Sequence, residues 1–198
     1  MRIIGGEARG RVLQTREGKG TRPTDSRTRE MLFNILEPQL EDCRFLDLYA
    51  GSGAVGMEAL SRGAAYAAFV ELNAVAISCI RTNLRTFGWE DKAQVWQANV
   101  RMAMRKFIEN EERFDIVFAD PPFTDLAEMN DFCTRMDKAP ELLHNVGGQA
   151  RGLFILQHHR KFQPKIELNF ELARQKGAGE SVITFFHPRQ QKGREISL

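Results

Sequence analysis

Asp47-Leu-Tyr-Ala-Gly-Ser-Gly-Ala-Val-Gly56 joins an apolar run to a helical one through a glycine-rich turn. Within it, Gly51-Ser-Gly53-Ala-Val-Gly56 has the spacing G-x-G-x-x-G, and Glu71 follows 20 residues beyond Gly51 at the tip of the next apolar segment. Glycines so spaced let the backbone turn sharply and approach a ligand, and an acid at the second strand's tip can accept both hydroxyls of a ribose. From residue 44 the chain settles into alternation of apolar strand, Gly or Asp turn, and helix. The pattern predicts strands near 44–49, 66–71, 93–97 and 113–119, with helices near 54–63, 73–87, 99–109 and 127–138. Strands and helices alternating at that length imply βαβ units and a parallel sheet covered on both faces.

Later, Gly152-Leu-Phe-Ile-Leu156, Ile166-Glu-Leu-Asn-Phe170 and Val182-Ile-Thr-Phe-Phe186 read as strands, the last two an antiparallel pair turning at Gly177-Ala-Gly179. Upstream, Arg2 to Gln14 carries short apolar pairs around Gly-rich turn material, which reads as a small β-hairpin with projecting Arg side chains. Thr24-Asp25 offers a helix N-cap before Met31, Leu32, Ile35 and Leu36, and Pro38 stops that run. The expected architecture is one open, twisted α/β sheet over 41–198, preceded by a basic hairpin-and-helix extension over 1–40.

At 198 residues and 42% hydrophobic content the chain is long and apolar enough for one domain with a real core. It has no apolar run of membrane-spanning length and no signal-type start, so a soluble cytoplasmic protein is expected. Cys43, Cys79 and Cys133 are too scattered for a short zinc motif and read as reduced core thiols; no metal is expected. The net charge of +2 is unevenly spread: residues 1–30 hold eight Arg or Lys against four acids. Clusters of this kind suit a polyanion, and Arg2, Arg9, Arg11, Arg22 and Arg27 are the candidate nucleic-acid contacts. The competing reading is a solvated surface.

The glycine loop and Glu71 suit either NAD or S-adenosylmethionine (SAM). Asp47, four residues before the first glycine, favours SAM, because a carboxylate there can face an ammonium and would repel a pyrophosphate. The chain also leaves no room for the separate substrate domain usual in dehydrogenases. The candidate cofactor residues are Asp47, Tyr49, Gly51, Ser52, Gly53, Glu71, Asn99 and Val100. For Asn99 a helix N-cap is the rival role.

Asp115-Ile-Val-Phe-Ala-Asp120-Pro-Pro-Phe123 ends the fourth strand in a carboxylate, two prolines and a ring. An exocyclic base amine is a weak nucleophile because its lone pair is delocalised into the ring. The Asp120 carboxylate and the Pro121 carbonyl can accept its two N–H bonds and draw the nitrogen toward a tetrahedral shape. Pro121-Pro122 stiffens the loop, and Phe123 can stack on the base, worth about 1–3 kcal/mol. Asp120, Pro121, Pro122 and Phe123 are therefore the candidate catalytic set. His158 and His159 are read as structural or RNA-facing, since amine methylation needs no dedicated histidine base.

These motifs together resemble the bacterial 16S ribosomal RNA guanine-N2 methyltransferases of the RsmD type. The resemblance runs from Arg2-Ile-Ile-Gly-Gly and Gly10-Arg11, through Arg22-Pro-Thr24, Arg29-Glu30 and Leu32-Phe-Asn34, to Asp47–Gly63 and Asp120-Pro-Pro-Phe123. It implies a Rossmann-like SAM-dependent methyltransferase fold, with a mostly parallel seven-stranded sheet and an antiparallel strand near the C-terminus. It further implies methylation of one guanine in 16S rRNA of an assembled or nearly assembled small subunit; a monomer is expected. Carried over, Asp120, Pro121 and Phe123 would engage the guanine, Gly51 and Gly53 would border the methionine part of SAM, and Glu71 would bind its ribose. Asn99 stands where many methyltransferases have an acid, and Gln157-His158 where one is expected after the sixth strand. The residues alone also admit adenine-N6 or cytosine-N4 methylation of DNA or RNA, and a non-catalytic rRNA-binding assembly factor.

Overall fold

The computed structural model describes residues 1–15, 26–123, 125–146, 149–150 and 152–189. Arg22 and the Thr24-Asp25 cap lie outside them. Four short apolar strands run parallel: β1 (Arg44–Leu48), β2 (Tyr66–Glu71), β3 (Ala93–Gln97) and β4 (Ile116–Ala119). They alternate with helices α2 (Ala54–Ser61), α3 (Ala74–Phe87), α4 (Val100–Glu109) and α5 (Leu126–Asp137), while α1 (Ser26–Leu36) precedes β1. A two-stranded ribbon, β5 (Asn145–Val146) and β6 (Gln149–Ala150), leads to β7 (Leu153–His159), β8 (Phe170–Ala178) and β9 (Ser181–Pro188).

The seven-stranded sheet has the order β3-β2-β1-β4-β7-β9-β8. Among its strands β9 alone runs against the rest, pairing antiparallel with both β7 and β8. The chain builds outward from β1 to β3 and returns to place β4 on the other side of β1. The strand order therefore reverses between β1 and β4, which opens a crevice at their C-terminal ends, the usual ligand position in such sheets.

Period-two alternation sorts the strands' side chains onto two cores. Phe45, Phe69, Phe118, Ile155 and Phe185 pack toward α1, α2 and α3, and Leu46, Leu48, Val70, Val117 and Phe154 toward α4 and α5. Side-chain caps fix where helices begin: Asn73 accepts from the N–H of Val75 and Ala76, Asn99 from Met102, and Asp125 from Glu128. Gly56 sits against the Phe69 ring so closely that a Cβ would come within 2.3 Å of it, so this glycine sets how near α2 lies to the sheet.

Three expectations are corrected. The strand placed at 166–170 begins only at Phe170, because Asp137 takes the backbone N–H groups of Glu167, Leu168 and Asn169. Donors held by a carboxylate are withdrawn from sheet pairing. The turn expected over Gly177-Ala-Gly179 is narrowed to its last residue: β8 continues through Ala178, and Gly179, with φ +62, supplies the positive φ that a two-residue hairpin loop requires. The N-terminal hairpin is reduced to one antiparallel bridge, Arg2 with Val12, flanked by turns.

That N-terminal segment shares the main core, with Ile3, Ala8 and Leu13 buried alongside Leu32, Phe33 and Leu36 of α1. Its polar anchor is Glu58 of α2, a carboxylate with no exposed surface. Glu58 accepts from the N–H of Ile4 (2.9 Å) and Gly5 (2.7 Å) and from Arg62 Nε (3.0 Å), and it lies 3.6 Å from the buried Arg29 guanidinium. Arg29 in turn donates to the Arg2 carbonyl. Removing one member of a buried charge pair leaves the other uncompensated, which costs about 3–5 kcal/mol. Glu58→Ala should lower stability by an amount of that order in denaturant unfolding. It should also speed deuterium exchange at the Ile4 and Gly5 amides; unaltered exchange there would remove Glu58 from this role.

Candidate active site

Asp47 is the next-to-last residue of β1, and its side chain shares the sheet face of Phe45 and meets the start of α2. Only 1% of its surface is exposed, and its Oδ2 accepts from the Gly56 N–H at 2.9 Å. Burial pushes its carboxyl up to about 8; the Gly56 N–H pulls the other way, and the charges of Asp120 and Glu71 push it up further. The chain then passes through Tyr49 at φ +62, a left-handed backbone unusual for a residue with a side chain, and Gly51 at φ +55. At Gly51 a Cβ would meet nothing within 4 Å, so the loop backbone stays open to a ligand there. Gly53 differs: with φ +81 it starts α2, and a Cβ would press within 2.9 Å of Ile80.

These elements border a cavity of about 730 Å³ at the strand-order reversal. Asp47, Tyr49, Gly51, Ser52, Glu71, Asn99, Val100, Asp120 and Pro122 all line it, which gathers most of the expected residues in one place. The Glu71 carboxylate is oriented by three backbone donors, Gly51, Leu72 and Asn73, at 2.7–2.8 Å. Asn99 has the capping role, with Oδ1 accepting from Met102 N–H at 2.8 Å while the residue also borders the cavity.

Gly53, Pro121 and Phe123 lie off the cavity wall. Pro121 is buried, and the half-buried Phe123 ring stands edge-on to His159 with centroids 6.4 Å apart. His158 is structural: it is 1% exposed, hydrogen-bonded to Thr184 Oγ1 at 2.8 Å, and burial holds its imidazole below the usual range. Arg11 does not project freely, since its guanidinium lies 4.1 Å over the Phe87 ring and donates to the Thr86 carbonyl. Arg2 donates to the Gly10 carbonyl, while Arg9 and Arg27 are exposed.

Sequence reasoning missed the α5 wall. Tyr49 donates its hydroxyl to Glu128 at 2.9 Å, Glu128 pairs with Arg135 at 3.0 Å, and Arg135 also pairs with Asp131. Glu128, Asp131 and Arg135 all line the cavity, and burial together with Glu128 holds the Tyr49 phenol well above its ordinary range. Spacing along α5 puts 128, 131 and 135 on one helical face, which was the available signal. Met1 and Thr15 complete the wall from the N-terminal side.

The charge of this wall tests the rival cofactors. Asp47, Glu71, Asp120, Glu128 and Asp131 are five carboxyl groups against two cations, Arg101 and Arg135. A pyrophosphate would meet repulsion, whereas SAM carries a sulfonium and an ammonium against one carboxylate. The donor set therefore fits SAM. Cys43, Cys79 and Cys133 are buried free thiols, and no group of three metal-ligating side chains occurs among the described residues.

Comparison with known proteins agrees with this geometry. The family model described as conserved hypothetical protein 95 matches residues 1–187. The chain is 34% identical over 193 residues to the ribosomal RNA small subunit methyltransferase D of Escherichia coli K12, spanning 96% of this chain and 91% of that protein. It is 41% identical over 127 residues to the protein of the same name in Haemophilus influenzae, spanning 62% and 64%. The fold matches the solved structure of the "putative methyltransferase yhhF from Escherichia coli" with TM-score 0.79 and 33% identity over 96% of this chain and 99% of that one.

The Asp47 environment gives a pH test. Its folded pKa lies above its unfolded one, so the folded chain holds a proton that the unfolded chain releases. The associated stability is fully present below about pH 4 and is lost as pH rises toward about 8. Asp47→Asn keeps an acceptor for the Gly56 N–H without a buried charge. Calorimetry of ligand-free protein should show the variant gaining in Tm over the parent between pH 5 and about 8; parallel curves would contradict the burial argument.

Proposed function

The chain belongs to the RsmD-type family described as conserved hypothetical protein 95, and from that membership we propose that it methylates small-subunit ribosomal RNA with SAM as donor. We further take the acceptor to be the N2 amine of one guanine, presented by an assembled or nearly assembled subunit in the cytoplasm. The observation that carries this reading is Asp120, at the end of β4, on the wall of a carboxyl-rich cavity that also holds the glycine loop and Glu71.

The roles follow from placement. Glu71, already oriented by backbone donors, is suited to ribose hydroxyls, and Asn99 Nδ2 to an adenine acceptor. Asp47 and the Glu128–Asp131–Arg135 group surround the space available to a methionine head, supplying both acid and base partners. Bound SAM supplies an electrophilic methyl group on a positively charged sulfur. Asp120 accepts a hydrogen bond from the base amine, and the stiff Pro-Pro segment that follows restricts the loop bearing this acceptor. Holding reacting groups in a near-attack arrangement removes about 7–11 kcal/mol in favourable cases, so positioning is the main contribution of the protein. A guanine must leave its stack to reach such a site, because a paired base cannot present its amine to a cavity at the ends of the central strands.

The test is transfer from labelled SAM to small subunits purified from cells lacking this protein, alongside bare rRNA and duplex DNA. N2-methylguanosine on the subunits alone is expected; label in DNA, or another modified nucleoside, would overturn the assignment. Asp120→Ala should leave SAM affinity within a few-fold and reduce turnover about 10²-fold or more, the usual loss when an electrostatic partner of the reacting group is removed. Turnover equal to the parent would take Asp120 out of the chemistry.

A further inference from the structure

The outer edge of the sheet, where it meets α1 of the N-terminal extension, carries a further group of cations. β8 is the edge strand, and Arg174 and Lys176, two residues apart and therefore on one face, line a surface groove of about 550 Å³ with Arg27, Glu30 and Asn34 of α1. The groove has three cations and one carboxylate. Residues 171–177 are all exposed.

Strand register fixes where this edge lies relative to the cavity. Lys176 pairs with Ile183, and Ile183 with Gln157, the residue after Leu156, which pairs with Ala119. Gln157 is therefore level with Asp120, and so is Lys176. The two are three strand spacings apart, roughly 14 Å at about 4.8 Å each. Between them the C-terminal end of β7 bears His159, whose ring meets Phe123, followed by the exposed Arg160 and Lys161. Arg160 N–H donates to the Glu180 carbonyl at 2.8 Å, which fastens this rim to the β8–β9 turn. A path of cations thus runs from the Asp-Pro-Pro-Phe tip to the sheet edge.

We propose that Arg174 and Lys176 of β8, with Arg27 of α1, form a second docking surface for the substrate RNA, holding phosphates of nucleotides that flank the target base. The proposal rests on the reading of the cavity as an RNA-methylating site. Charged residues on an edge strand also discourage pairing with other sheets. Charge of either sign serves that role, whereas phosphate contact asks for positive charge and is weakened by salt.

The decisive comparison is the parent chain with Arg174→Gln/Lys176→Gln, which keeps the edge polar, and with Arg174→Lys, which keeps the charge. Direct binding to 16S rRNA across a salt series is measured alongside methyl transfer to small subunits. We expect the double variant to keep its Tm, SAM affinity and kcat. Its KM for subunits should rise several-fold or more, and its salt slope should fall by about 1.4, at roughly 0.7 for each single-strand phosphate that is no longer neutralised. Arg174→Lys should stay near the parent. RNA binding and salt slope equal to the parent's, or a double variant that only self-associates while keeping its KM, would overturn the proposal. Because RNA binding is read without turnover, a parent chain that binds rRNA but transfers no methyl would count against the function assigned to the cavity, not against this surface.

Discussion

α2 is held by two buried carboxyl groups, one reaching it from β1 and one its own, and the arrangement of the molecule depends on both. Near its start, the Gly56 N–H is taken by Asp47 from β1. Further along, Glu58 gathers two backbone amides of the N-terminal segment, Arg62 of its own helix end, and Arg29 of α1. A carboxylate with no exposed surface is tolerated only where such donors surround it. The consequence is geometric. The segment that Glu58 fixes is the one that brings Met1 to the cavity, so a wall of the site is set by a contact on the helix behind it.

The same economy of donors explains the cavity's chemistry. Several carboxyl groups converge at the ends of β1, β2 and β4, and their mutual repulsion is relieved by different means. Glu71 is neutralised in part by three peptide N–H groups, and Glu128 and Asp131 by Arg135. Asp47 has one peptide donor and little solvent, and its proton is accordingly held to about pH 8. A cation entering this space favours the ionised form of Asp47. The wall is thus unfavourable to its own charges until a cation joins it, and that is what makes it selective for a positively charged ligand over a phosphorylated one.

How much of this was legible in the sequence follows from the range of each interaction. The parallel strands, the helices between them and the glycine turn were readable because their signals are local: period-two apolar runs, a G-x-G-x-x-G spacing, an acid at a strand tip. Asp120 was readable because a carboxylate before two prolines is unusual at a strand end. Glu58 was not, since an acid in a helix looks solvated until the partner segments, more than 50 residues away, are seen to cover it. Glu128, Asp131 and Arg135 were hidden for the same reason, because their meaning comes from Tyr49 about 80 residues earlier. Asp137 displaced the expected strand start by capturing amides 30 to 32 residues further on, an event that no local propensity records.

The order of the last three strands carries a consequence for how the chain assembles. β9 lies between β7 and β8, although it follows both in sequence. Until β9 is made, β7 has no partner on its outer side, and β8 has none on either. On a ribosome, the half of the sheet around β1 to β4 can therefore settle early, while the flank bearing Arg174 and Lys176 waits for nearly the whole chain to emerge. Assembly then ends with the insertion of an interior strand between β7 and β8, a non-local and slow kind of step. A nascent chain halted before β9 would expose the long apolar edge of β7, which gives cellular quality control a clear mark of an unfinished molecule.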